Sequence, residues 1–131
     1  MDIVKIKDNL HWIGSVDKDL RIFDVVMETK YGTSYNSYLL ETSEGAVIFE
    51  TVKEKFVDEY IEKIKKLVDI NTVKYIVLQH TEPDHAGGLF KLMELLPDVT
   101  VIGSRIALSY LSEIINAPFT GMTVKDNDEL V

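Results

Sequence analysis

From Lys53 to Val68 the apolar residues fall at Phe56, Val57, Tyr60, Ile61, Ile64, Leu67 and Val68, the three-and-four spacing of one helix face. Within a few residues the chain switches to a continuous apolar run rich in β-branched residues, Val73 to Leu78. A one-sided helix followed by a strand apolar on both faces fits few architectures. The helix must lie on a sheet, and the strand must run inside that sheet. The pattern then repeats. Gly87 to Leu96 reads as a second helix stopped by Pro97, and Val99 to Ile102 as a second buried strand. Ser104 reads as the N-cap of a third helix carrying Ile106, Leu108, Leu111, Ile114 and Ile115. Val124 begins a last strand.

The first half has a different grain. Ile3 to Ile6 and Leu10 to Ile13 are short apolar segments on either side of Lys7-Asp8-Asn9, which predicts a hairpin. Ile22 to Met27 predicts a buried strand, and Tyr31-Gly32-Thr33 a turn. Tyr35 to Glu41 and Ala46 to Glu50 predict a second hairpin across Thr42 to Gly45. Strands followed by alternating helices and strands give a layered α/β chain with a mixed sheet. No repeat, low-complexity tract or Pro/Gly-rich linker divides it, and 131 residues suffice for one domain.

Composition removes several functions. The net charge of -8 repels phosphate backbones and anionic lipid, so neither nucleic acid nor a membrane is expected as partner. No apolar run approaches the ~20 residues that span a bilayer. The opening Met1-Asp2-Ile3-Val4-Lys5 alternates and carries charge, unlike a secretory leader, which points to the cytoplasm. The chain has no cysteine, which excludes disulfides, thiolate nucleophiles and iron-sulfur clusters. Any metal must be held by nitrogen and oxygen, and the chain has 3 histidines.

Two of those histidines bracket the segment His80-Thr81-Glu82-Pro83-Asp84-His85, at the carboxyl end of the predicted strand Val73–Leu78, where α/β folds place ligands and catalytic groups. In an extended segment His80 and Glu82 point the same way, so they can chelate one ion together. Pro83 fixes its own φ and holds Glu82 extended. Asp84 and His85 are adjacent and need a turn to converge on a second ion, about 3.5–4 Å from the first in binuclear sites. Imidazole and carboxylate without thiolate suit iron, manganese or zinc. The carboxylate of Glu82 adds negative charge and hard oxygen ligation, which favours iron and stabilises its ferric state.

This segment resembles the metal motif of the flavodiiron proteins, or A-type flavoproteins, of the metallo-β-lactamase superfamily. Further segments match in order along the chain: Trp12 to Asp17, Tyr31 to Tyr38, Glu50 to Lys53, Ile76 to His80 and Val101 to Ser104. Phe23 to Met27 together with Glu50 to Phe56 resembles one subgroup.

The resemblance implies an αββα metallo-β-lactamase sandwich, of which residues 1–131 would be the N-terminal half. It implies a flavodoxin-like FMN domain that this sequence does not contain. It implies two irons reducing dioxygen to water or nitric oxide to nitrous oxide, fed through FMN from a rubredoxin-like donor. By motif match His80 and Glu82 would bind one iron, and Asp84 and His85 the other.

No catalytic group beyond these ligands is singled out. The family supplies a further histidine, a bridging aspartate and a last histidine downstream. No histidine follows His85 here, and Asp126 and Asp128 fall in a turn before the strand that leads to the first of these ligands. The chain is therefore not expected to be active alone. Half a sandwich leaves an apolar sheet face and an open edge, which implies a second chain carrying the other half, or self-association. The alternatives are a non-catalytic truncated or split-gene product, and a zinc hydrolase using metal-bound hydroxide.

Smaller expectations attach to other residues. His11 reads as a surface or supporting histidine rather than a ligand. Tyr31, Tyr35 and Tyr38 read as packing residues. Lys63, Lys65 and Lys66 read as a solvated helix face.

Overall fold

The computed structural model describes residues 3–17, 22–23, 27–28, 33–79, 88–114 and 119–125. Strands β1 (Val4–Lys7) and β2 (Leu10–Trp12) pair antiparallel across Asp8 and Asn9. β3 (Ser15–Asp17) pairs antiparallel with β6 (Thr33–Tyr35) in a small sheet of its own, and β4 (Ile22–Phe23) pairs antiparallel with β5 (Met27–Glu28). The single strand expected over Ile22 to Met27 is thus two short antiparallel ones, because an apolar composition does not report the direction of the chain. The strand expected from Tyr35 to Glu41 is interrupted at Asn36 and Ser37: Tyr35 closes β6, and β7 (Tyr38–Thr42) joins the main sheet.

β7 and β8 (Gly45–Phe49) form the predicted hairpin. Its turn is tied by Thr42 Oγ1, which donates to the Gly45 carbonyl at 2.6 Å and accepts from the Glu44 amide at 3.2 Å. A 3₁₀ turn, Glu54–Phe56, then leads into α1 (Val57–Leu67). β9 (Val73–Val77), α2 (Leu89–Leu95), β10 (Thr100–Gly103), α3 (Arg105–Ile114) and β11 (Thr120–Thr123) follow. Ser104 caps α3 as expected, its Oγ accepting from the Ala107 amide at 3.1 Å. Among the described residues the last strand precedes Val124 rather than starting there. Thr-Gly-Met-Thr has no apolar run to announce it, and pairing with β10 defines it.

The main sheet has the order β1-β2-β7-β8-β9-β10-β11. From β1 through β2 and β7 to β8 each strand is antiparallel to its neighbour, while β8, β9, β10 and β11 run parallel. The sheet is mixed, as the sequence predicts, and β8 is the strand at which its sense changes. Cross-strand register aligns Leu39, Ile48, Ile76 and Val101 in one row. All four are fully buried, and they share a core with Tyr60 and Ile64 of α1, Leu92 of α2 and Leu111 of α3.

The alternate rows carry Leu40, Val47 and Tyr75, then Tyr38, Phe49, Val77, Ile102 and Met122. Most of these line an open concavity of about 690 Å³ on the other side of the sheet. β9 is therefore not buried on both faces: Tyr75 and Val77 are half-buried and Lys74 is exposed.

Candidate functional site

The carboxyl ends of the parallel strands β8, β9 and β10 lie together, and here the sheet's hydrogen-bond ladders are carried past the strand ends. The Glu50 amide donates to the Val77 carbonyl at 2.8 Å, Leu78 to Ile102 at 2.8 Å, and Val124 to Gly103 at 3.0 Å. Glu50 then leaves the sheet at φ 63°, a left-handed conformation uncommon for a glutamate. Its carboxylate turns back under the end of β9, where Oε1 accepts the Gln79 amide at 2.5 Å. Two residues on, the Val52 carbonyl accepts the Gly88 amide at 2.9 Å. A Cβ on Gly88 would stand 3.1 Å from Val57 Cγ2 and 3.4 Å from the Val52 oxygen, so a larger residue would have to push the Val57 side chain aside by a few tenths of an ångström.

The turn Glu50–Val52 is held from beneath. Ser37 Oγ lies 2.9 Å from the Phe49 carbonyl and 3.1 Å from that of Glu50. Tyr60 OH sits 2.7 Å from Ser37 Oγ and 3.2 Å from the Glu50 carbonyl. Glu50, Thr51, Ser37 and Tyr60 are all buried. Burial holds the Tyr60 hydroxyl well above the usual phenol range, the Ser37 hydrogen bond works against this, and the negative charge of Glu50 adds to it. Tyr60 is thus a neutral hydrogen-bonding group at any ordinary pH.

His80, Glu82, Asp84 and His85 fall in residues 80–87, outside the described residues. The structure describes the frame on either side, Gln79 and Gly88, and both are hydrogen-bonded to the same turn. Among the described residues no three His, Asp or Glu side chains converge as a metal site. The donor set itself fits iron: two imidazoles and two carboxylates, in a chain without a thiolate. The open concavity on the far sheet face is lined mainly by apolar residues and the Thr42–Gly45 hairpin turn, and it includes none of Glu50, Gln79 or Gly88.

Several smaller expectations are settled here. His11 is half-buried in β2 opposite Leu39, and its Nδ1 is buried without a hydrogen-bond partner among the described residues. Tyr35 is a packing residue, 1% exposed, its ring centroid 5.8 Å from that of Phe56. Tyr38 is half-buried and Tyr31 lies outside the described residues.

Lys65 and Lys66 are exposed, but Lys63 is not part of a solvated face. It is 2% exposed, with Nζ donating to the Gly14 carbonyl at 2.5 Å and lying 5.3 Å from the Trp12 ring centre. Three residues after Tyr60, it falls on the buried side of α1, and its long stem carries the charge to the Gly14 carbonyl just after β2. Glu50, Ser37 and Tyr60 are the residues that sequence reasoning passes over. The available signal is a carboxylate directly after the apolar run of β8.

Residues 33–129 match the family described as ODP family beta lactamase. The chain is 43% identical over 131 residues to the flavo-diiron protein FprA2 of Clostridium acetobutylicum, covering 99% of this chain and 32% of that protein. The flavodiiron protein from Giardia intestinalis superposes with a TM-score of 0.91 at 26% identity, over 100% of this chain and 32% of that one. Rubredoxin oxygen:oxidoreductase from Desulfovibrio gigas gives 0.90 at 30% identity, over 97% of this chain and 32% of that one. The chain thus spans about a third of the length of these proteins. No helix among the described residues is long and apolar enough to cross a membrane.

Proposed function

The chain belongs to the ODP beta-lactamase family, and on that premise we propose that it supplies the first ligand cluster of a diiron oxidoreductase. In this reading residues 1–131 are the N-terminal half of the metallo-β-lactamase-like domain of a longer flavodiiron protein. The reading is supported by one observation above the rest: 43% identity to a flavo-diiron protein runs along 99% of the chain, and the chain carries a donor set that suits iron.

His80 and Glu82 would hold one metal ion through an imidazole and a carboxylate. Asp84 and His85 would hold the second, with Pro83, whose ring fixes its own φ, between the pairs. Four donors shared by two ions give two each, so the remaining coordination comes from groups beyond these four. When bound, the iron pair supplies the redox chemistry that reduces dioxygen to water or nitric oxide to nitrous oxide. Electrons would be supplied to it by an FMN domain and a rubredoxin-like donor of the kind the resemblance implies. A cytoplasmic setting, and pairing with a second chain or a second copy, belong to the same proposal.

Metal analysis tests it. Produced with iron and zinc both available, the chain is expected to retain iron in preference to zinc. The double substitution His80→Ala/His85→Ala is expected to abolish that retention. Stoichiometric zinc with hydrolysis of an ester substrate would replace the oxidoreductase reading with a hydrolase one.

A further inference from the structure

We infer that Glu50 is a positioning residue for the metal-binding segment, holding the strand end from which residues 80–87 depart, while Val52 holds the residue at which they return. The inference rests on the reading of His80, Glu82, Asp84 and His85 as ligands, but its geometry lies wholly in described residues.

The ladder between β8 and β9 ends with the Glu50 amide bonded to the Val77 carbonyl. The chain of β8 then turns away at φ 63°, so the backbone ladder goes no further. The carboxylate takes over, with Oε1 accepting the Gln79 amide at 2.5 Å. A bond from an amide to a charged acceptor is stronger than the backbone bond it replaces. The Val52 carbonyl takes the Gly88 amide at 2.9 Å, so one short turn grips both flanks of the segment. That turn is itself fixed by Ser37 Oγ and Tyr60 OH, both within 3.2 Å of the Glu50 carbonyl.

A left-handed turn built for shape alone takes glycine or asparagine. A glutamate there incurs a steric penalty, and its carboxylate reaches the Gln79 amide, a backbone donor next to His80. Ligands on a segment with both flanks fixed lose less freedom on binding metal than ligands on a segment fixed at one end.

Two variants of the full chain separate positioning from general support. Glu50→Gly suits φ 63° and deletes the acceptor; Glu50→Gln keeps an acceptor oxygen without the charge. Amide hydrogen exchange followed by NMR should show Gln79 exchanging at least about tenfold faster in Glu50→Gly, with the Leu78 amide unchanged and the metal-free thermal midpoint unchanged or raised. Glu50→Gln should restore most of the protection. In titration with Fe(II) alone, the apparent dissociation constant should rise about tenfold or more for Glu50→Gly and recover in Glu50→Gln. Unchanged Gln79 exchange, or equal Fe(II) affinity in parent and Glu50→Gly, would overturn the inference. Should the parent chain itself take up no Fe(II), the ligand reading falls, and exchange at Gln79 still decides whether Glu50 holds the strand end.

Discussion

Ile76 and Val77 are neighbours in β9, both β-branched, both hydrogen-bonded into the same ladders, and they meet opposite surroundings. Ile76 is fully buried among residues of the helix-facing core, while Val77 is half-buried on the face that bears the open concavity. The contrast recurs at Leu39 against Leu40 in β7 and at Ile48 against Phe49 in β8, and it fades in β10, where Val101 and Ile102 are both buried. The apolar content of the two faces is similar. They differ in what covers them: residues of three helices share the core on one face, while the other lines the open concavity. Strand composition thus reports that a face is apolar, while its burial depends on a second layer.

The helix-facing side should be the costlier of the two to perturb. Ile76→Ala should cost about 2–5 kcal/mol of unfolding free energy, as for other fully buried aliphatic side chains cut to alanine, read from urea denaturation. A change near zero would mean that the helix-facing side is not the core. Tyr60→Phe comes next, at about 1–2 kcal/mol, because it leaves Ser37 Oγ and the Glu50 carbonyl short of one buried partner.

The same variant tests pH dependence. The folded Tyr60 titrates above its ordinary value of 10.0, so its contribution is fully present below pH 10.0 and is lost as pH rises through the folded value. Stability against pH should therefore fall above about 10 in the parent and fall less steeply in Tyr60→Phe. Val77→Ala should have the smallest effect, about 1 kcal/mol or less, since a half-buried valine has less apolar surface to lose. A cost for Val77→Ala equal to that for Ile76→Ala would show that the open face is covered in solution.

Much of this architecture is legible in the sequence where the apolar period is long. α1 and its approach lie within Lys53 to Val68, β9 ends one residue short of the expected Leu78, and the β7–β8 hairpin turns where Thr42 to Gly45 predict. What escapes is set by tertiary pairing. β3 and β6 are three residues each and find one another across the intervening chain, and β11 has no apolar signature. Lys63 escapes because residue type predicts solvent whereas helical position predicts burial. At the site the four donors are legible as chemistry, from residue type and spacing. The Glu50 turn is not, because a positive φ at a glutamate leaves no mark in composition and its partner Gln79 lies far along the chain.

β8 belongs to two ladders of opposite sense, and this has a kinetic consequence. Its pairing with β7 closes a tight loop across Ser43 and Glu44, whereas its pairing with β9 must wait for the whole of α1 to be bridged. Assembly should therefore spread outward from the hairpin, with β8 as the template on which the parallel strands are laid in turn. Rate measurements on Leu39→Ala and Val101→Ala would show it, the first slowing folding and the second mainly hastening unfolding.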